Sequence, residues 1–324
     1  MRVCIANPAF IGDVLFSSRM CDALVKSFPN VEILFVAKPP AHQLAQFFPG
    51  VSSVVSFDKR GQHKGWGGVR AMAKQITEFS PDIFITTHRG WRMALLARLL
   101  GPKVRKVGFK GFWRFLFDEV APYRKGDSFF AKEAQLLAVL GISETTARMR
   151  CGSQWIRGEK NVILAPGANW ATKRWPLASF IGLAKAFIDD DWQVALTGGP
   201  DEMDLCTEIK NAVPACENNC GESLESAMKQ MQTASLVVAN DSGLAHLSRA
   251  VGTPTLIVFG PTPSRVHDLN AEKNTQAIAA AAECAPCSTH GHDNCPQGHH
   301  KCMADLAVKD VFQAARELVV IDKS

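Results

Sequence analysis

Residues 235–262 read SLVVANDSGLAHLSRAVGTPTLIVFGPT. An apolar run ends at Asn240-Asp241, Ser242-Gly243 open a helix-period segment, and TPTLIVFG restarts the apolar pattern after Gly252. Short uninterrupted apolar runs on either side of an amphipathic helix are the signature of parallel strands covered on both faces. The stretch therefore predicts a strand–helix–strand unit of an α/β sheet.

The same rhythm extends in both directions. RVCIA, VEILFVA, VSSVVSF, DIFITT and KVRKVGF read as strands in the first half, with NVILAP, WQVALTGG, SLVVAN and TPTLIVFG in the second. DVLFSSRMCDALVKSF, WRMALLARLLG, LASFIGLAKAFIDD and a closing MADLAVKDVFQAARELV carry helical periodicity. The pattern lapses over roughly 143–160 and restarts near 161. This organisation predicts two doubly wound, Rossmann-like domains, residues 1–155 and 156–324, with a cleft between them. Ligands of such sheets bind beyond the carboxyl ends of the strands, so the loops there are where chemistry is expected.

Bulk properties restrict the options. The 324 residues are 47% hydrophobic and 21% charged, as in a folded soluble protein. No apolar run is long enough to span a bilayer, and no signal peptide opens the chain. Scattered single cysteines suit reduced thiols, so a cytoplasmic location is expected. The net charge of +5 hides an imbalance, since residues 1–158 hold 23 Lys/Arg against 11 Asp/Glu. A basic half implies an anionic partner for the first domain. Nucleic acid is disfavoured, because no aromatic–basic module of a known kind is present.

Three loops stand out, while P-loop and G-x-G-x-x-G fingerprints are absent. Asp13 in NPAFIGDVLFSS falls in a first helical turn, where a carboxylate serves as a cap, a general base, or both. APGANWATKRWP (165–176) offers backbone amides, Thr172 and the point charge of Lys173 to an anion. In the opening stretch, the helix start at Ser242-Gly243 forms an anion seat; Asp241 is expected to hold a sugar hydroxyl and His246 a phosphate. The acidic triplet Asp189-Asp190-Asp191 lies at a helix end and reads as solvated surface, so a leaving group would rely on dipoles and Lys173.

CAPCSTHGHDNCPQGHHKC (284–302) contains four cysteines and four histidines. Its spacing leaves three states open for Cys284, Cys287, Cys295 and Cys302: a tetrahedral zinc site, free thiols or a disulfide. The metal is unassigned at this level. FKGFWRFLF (109–117) mixes cations with five aromatics. It reads either as domain core or as a segment that dips into a membrane interface.

In combination, IGDVLFS, PGA…TKRWP, TGGPDE and NDSGLAH…VGTPTLIVFGPT resemble glycosyltransferase family 9, the lipopolysaccharide heptosyltransferases. The likeness covers nearly the whole chain in order. The Cys/His tail is part of it and is most similar to the branch acting second on the inner core. The resemblance implies a GT-B fold, an acceptor-binding first domain and a donor-binding second domain that bears the 284–302 loop and a closing helix. It implies an ADP-L-glycero-D-manno-heptose donor, a phosphorylated heptosyl-Kdo2-lipid A type acceptor, and no cofactor. Asp13 maps onto the family's base and Lys173 onto its leaving-group cation. Thr172, Lys173, Asp241, Ser242, Gly243, Leu244 and His246 map onto the donor site. The basic stretch suits the acceptor, through Lys59, Arg60, Lys64, Arg89 and Arg92, with peripheral contact at the inner membrane face. The reaction implied is an inverting, metal-independent single displacement. Transfer from another nucleotide sugar and non-catalytic sugar-nucleotide binding are the alternatives; the latter would have no need of Asp13.

Overall fold

A computed structural model of the protein describes residues 1–143, 148–153, 155, 156 and 158–321. The turn-rich stretch expected at 143–160 lies partly outside these residues. Two compact units result, Met1–Gly152 and a second beginning at Ser153, a few residues earlier than the boundary read from the sequence.

The first unit contains strands β1 (Arg2–Asn7), β2 (Glu32–Ala37), β3 (Val51–Ser56), β4 (Ile83–Thr86), β5 (Arg105–Phe109) and β6 (Glu119–Ala121). They form one sheet in the order β3-β2-β1-β4-β5-β6, with every adjacent pair parallel. The second unit contains β7 (Asn161–Ala165), β8 (Gln193–Leu196), β9 (Glu217–Asn218), β10 (Leu236–Asn240), β11 (Thr255–Val258) and β12 (Thr275–Ile278). Its order is β12-β11-β10-β7-β8-β9, again parallel throughout. Counted from its own first strand, that is the same topology. Each sheet reverses direction of winding once, between β1 and β4 and between β7 and β10. In sheets of this kind, ligands bind at the carboxyl ends of just those strands.

The strands at the reversals are buried on both faces, as their uninterrupted apolar runs require. Val3 to Ala6 and Leu236 to Ala239 are fully inaccessible. Central registers pair Ile5 with Phe35 and Ile85, and Val238 with Leu164 and Leu256. In the second unit, Trp175, Phe180, Phe187 and Met303 pack beneath the sheet with Leu318 of the last helix.

Two helices read as continuous are interrupted. The 13–28 segment forms Ile11–Phe16 and Ser18–Ser27, because the Ser17 hydroxyl is drawn inward. It accepts from Asn7 Nδ2 at 2.9 Å and donates to Glu133 Oε1 at 2.9 Å. The closing segment forms Lys301–Ala304 and Val308–Ile321, where the Leu306 carbonyl between them accepts the Trp175 indole N–H at 3.1 Å. Asp189 and Asp191 are exposed at the helix end as expected, and Asp190 between them accepts from Trp192 Nε1 at 2.8 Å and pairs with Arg316.

Candidate active site

Both winding reversals carry an asparagine at a strand end that pins loop backbone, of its own loop in the first unit and of the neighbouring loop after β7 in the second. In the first unit, Asn7 closes β1 and donates to the Asp13 carbonyl at 2.9 Å. In the second, Asn240 closes β10. Its Nδ2 donates to the Pro166 carbonyl at 2.7 Å, and its Oδ1 accepts the Trp175 N–H at 3.0 Å. Side-chain amides suit this work because each supplies a donor and an acceptor to backbone that no strand can satisfy.

Asp13 lies at the third position of its helix, where Oδ2 accepts the Phe10 N–H at 3.3 Å. It is a cap that remains partly exposed at the sheet's carboxyl edge. Around it is a group of cations. Burial lowers the Lys38 ammonium, the charge of Arg60 adds to that, and Asp13 opposes it. Lys59 is lowered by burial and then by Lys38, Arg92 and Arg60. His88 is pushed down to about 4 by burial, Lys59 and Lys38, and is neutral at pH 7. Mutual depression of this kind marks cations crowded without enough counter-charge, the field an anionic ligand relieves. Arg89 lies over the Tyr123 ring at 4.2 Å and Arg92 over Trp91 at 4.6 Å. Lys64 is exposed at the N-cap of the helix Gly65–Phe79.

In the second unit the reversal brings the loop after β7 against the loop after β10. Lys173 Nζ reaches Asp241 Oδ2 at 2.6 Å, and Thr262 Oγ1 donates to the same oxygen at 2.7 Å. His246 and His267 stack with centroids 4.9 Å apart, and each presents Nε2 3.7 Å from Asp241 Oδ1. Burial would raise the Asp241 carboxyl, but the two imidazoles and Lys173 hold it well below the usual range. His246 is lowered to about 4 and His267 to about 3, in both cases first by burial. At neutral pH both imidazoles are therefore uncharged.

Behind the histidines, Arg249 donates to Glu272 Oε2 at 2.7 Å and to the His267 carbonyl at 2.9 Å. Its Nη1 also lies 3.1 Å from His246 Nδ1. A guanidinium only donates, so Nδ1 holds the lone pair and the imidazole proton sits on Nε2, facing Asp241. This bears on metal binding. Asp241, His246 and His267 place ligand atoms within 4.8 Å of one another, the sole such cluster among the described residues. In this arrangement His246 Nε2 carries a proton and Asp241 Oδ2 is taken by Lys173 and Thr262.

Ser242 and Gly243 open the helix Gly243–Val251 directly after Asp241, with Leu244 in its first turn. The Ser242 Oγ is inaccessible and has no hydrogen-bond partner among the described residues. His246 is buried and turned to Asp241. Thr172 faces the Cys/His segment: its Oγ1 donates to the His292 carbonyl and accepts the His292 N–H, both at 2.8 Å. His300 Nε2 bonds the Thr172 carbonyl at 2.7 Å. A Cβ on Gly291 (φ +95°) would sit 2.8 Å from Trp170 Cβ and 3.2 Å from Lys173 Cγ. The Cys/His segment is thus a brace laid along the Lys173 turn.

None of its four cysteines is in a disulfide. Cys302 is raised to about 11, by burial first and then by Cys284, Cys287 and Cys295. The Cys295 thiol is lowered, chiefly by the His300 N–H. No three of these sulfurs share ligand distance.

Sequence reasoning missed Lys38, His88, Thr262, His267 and the two pinning asparagines. Lys38 carried a usable signal, being a cation directly after a strand. His267 had none, since it ends a single 3-10 turn, Ser264–His267, that leaves no periodic pattern.

Two sheets of identical Rossmann-like topology, each with polar loops at its winding reversal, are the architecture of the GT-B fold. The chain belongs to glycosyltransferase family 9 (heptosyltransferase), whose sequence profile matches residues 69–296. It is 24% identical to the lipopolysaccharide heptosyltransferase 2 of Salmonella typhimurium, over 98% of this chain and 99% of that protein. It is 22% identical to a lipooligosaccharide heptosyltransferase 2 of Campylobacter jejuni, over 98% and 99%. Among solved structures, E. coli ADP-heptose LPS heptosyltransferase II superposes with a TM-score of 0.81, at 20% identity and full coverage of both chains. E. coli heptosyltransferase WaaC with ADP also gives 0.81, at 20% identity over 98% and 100%. Among the described residues, no helix is long and apolar enough to cross a membrane.

Proposed function

We propose that this heptosyltransferase moves heptose from an ADP-heptose to a phosphorylated lipopolysaccharide inner-core acceptor, with inversion and without a bound metal. The observation that carries the reading is Lys173, held 2.6 Å from Asp241 beside the helix start at Ser242-Gly243. A fixed ammonium and outward-pointing amides together stabilise a departing diphosphate. The names of the relatives support the donor and the acceptor.

In this reading Asp13 accepts the proton of an acceptor hydroxyl, that oxygen forms the new bond to the anomeric carbon, and the bond to ADP breaks on the opposite face. Lys173 and the amides of Ser242 to Leu244 receive the leaving phosphate. Asp241 steers Lys173, and His246 holds Asp241 from behind. Thr172 acts by keeping the Lys173 turn on its brace. Lys59, Arg60, Lys64, Arg89 and Arg92, joined by Lys38, bind acceptor phosphate and carboxylate groups.

The test is incubation with a panel of nucleotide sugars and a truncated core acceptor, with products weighed and the anomeric configuration determined. Transfer from ADP-heptose, with inversion and in the presence of EDTA, is expected. Asp13→Asn should lower kcat by about 10²–10⁴-fold while leaving donor affinity intact. Retained turnover in that variant, or no transfer from ADP-heptose, defeats the reading.

A further inference from the structure

The Arg249 guanidinium and the Glu272 carboxylate form an ion pair sealed from water, with Nε 2.7 Å from Oε2 and side chains 0% and 2% exposed. Arg249 stands in the helix Gly243–Val251, and Glu272 follows the 3-10 turn Leu269–Ala271. Such a pair loses the hydration of both charges, and apolar side chains of similar volume commonly serve stability as well or better. Stability alone does not account for a guanidinium at this point. Its other contacts do.

Each nitrogen of the guanidinium meets a different acceptor. Nε donates to Glu272 Oε2, Nη2 to the His267 carbonyl at 2.9 Å, and Nη1 to His246 Nδ1 at 3.1 Å. One side chain thus grips both residues whose imidazoles face Asp241, His246 by its ring and His267 by its backbone. The grip on the ring has a chemical consequence. A guanidinium has no lone pair, so a proton on Nδ1 would set two donors against each other. The imidazole proton is confined to Nε2, which lies 3.7 Å from Asp241 Oδ1. In the other tautomer a nitrogen lone pair would face that carboxylate and push it away. Oδ2 of the same carboxylate is the oxygen 2.6 Å from Lys173 Nζ. A chain of contacts therefore runs from Glu272 through Arg249, His246 and Asp241 to Lys173.

We infer that Arg249, itself held by Glu272, is a positioning residue for the transfer reaction: it locks His246 in the Nε2-protonated tautomer and so fixes Asp241 and the Lys173 ammonium. This deepens the proposed function and rests on Lys173 being the cation that meets the departing diphosphate. Buried behind the histidines, Arg249 acts through them and not on a substrate. The task needs a planar fork, because the single nitrogen of a lysine cannot span three separated acceptors.

Two measurements test the lock. The first needs no substrate. Nitrogen-15 spectra of the whole protein labelled at histidine, with the His246 signals assigned by their loss in His246→Asn, should show a protonated Nε2 and a bare Nδ1 at pH 7. A protonated Nδ1 overturns the inference. The second is Arg249→Lys, which keeps a cation for Glu272. It is expected to melt within a few degrees of wild type and to show mixed His246 tautomers. Its kcat should fall by about 10–10²-fold with donor KM little changed, the scale of a small misplacement near reacting atoms. Should that variant unfold early, Arg249→Met/Glu272→Leu removes the pair without stranding a charge and is held to the same kcat and tautomer. Wild-type kcat in either folded variant overturns the inference. So does a loss of kcat with the His246 tautomer unchanged, since the pair would then be merely structural. A wild-type protein that shows the Nε2 tautomer yet transfers no heptose supports the lock and counts against the proposed reaction alone.

Discussion

Lys173 Nζ and Asp241 Oδ2 lie 2.6 Å apart at the winding reversal of the second domain, with side chains only 14% and 3% exposed. The pair joins the loop after β7 to the loop after β10, and little solvent screens it. Removing one partner of such a pair costs far more than removing both, because the survivor is left charged and desolvated.

Lys173→Met is therefore expected to destabilise the protein by about 3–5 kcal/mol. The double variant Lys173→Met/Asp241→Asn should recover most of that stability yet remain inactive. Chemical denaturation of both variants, with turnover assays alongside, checks this. If the single variant were as stable as wild type, the pair would not be held as described.

Thr172 is the hinge between this chemistry and the Cys/His segment. Thr172→Val removes the hydroxyl that both donates to and accepts from His292. A stability loss of about 1–3 kcal/mol is expected, with kcat falling more than donor KM rises. Thr172→Ser keeps the hydroxyl and should restore both. A serine variant as impaired as valine would show that the methyl, and not the brace, matters.

How much of this was legible in the sequence depended on the physical signal each part leaves. Central strands such as Leu236–Asn240 announce themselves, because burial on both faces forces an unbroken apolar run. The edge strand Thr275–Ile278 is half-solvated and reads TQAI, so nothing separates it from a loop. Asp13, Lys173 and Asp241 stood out because each follows a strand and matches a motif. His267 reaches Asp241 only through tertiary folding, and the brace on Thr172 runs through His292 backbone, which no residue type encodes.

The buried imidazoles set a pH limit. His246 and His267 are neutral in the folded protein down to about 4 and about 3, while an unfolded histidine takes up its proton near 6.5. Between those values the unfolded chain binds more protons, so stability falls as pH drops from about 6.5 toward 4. The Asp241 carboxylate, held low, adds a further loss only below about 4. A decline on the order of 2 kcal/mol per imidazole between pH 6.5 and 5 is expected from denaturant titrations. His246→Asn/His267→Asn should flatten that slope whatever it does to stability at pH 7.

Ser242 provides the sharpest separation of binding from folding. It occupies the N-cap of Gly243–Val251, yet its hydroxyl makes no capping bond and no other hydrogen bond among the described residues. A buried hydroxyl left so is a liability to the free protein, which a ligand phosphate or sugar oxygen would relieve. Ser242→Ala should therefore leave unliganded stability unchanged or raise it by up to about 1 kcal/mol. Donor KM should rise about tenfold, matching the loss of one hydrogen bond to a charged group. Thermal shift with and without ADP reads both effects at once. The alanine variant should melt no lower than wild type alone and gain less from ADP; an equal ADP shift would remove Ser242 from the donor site.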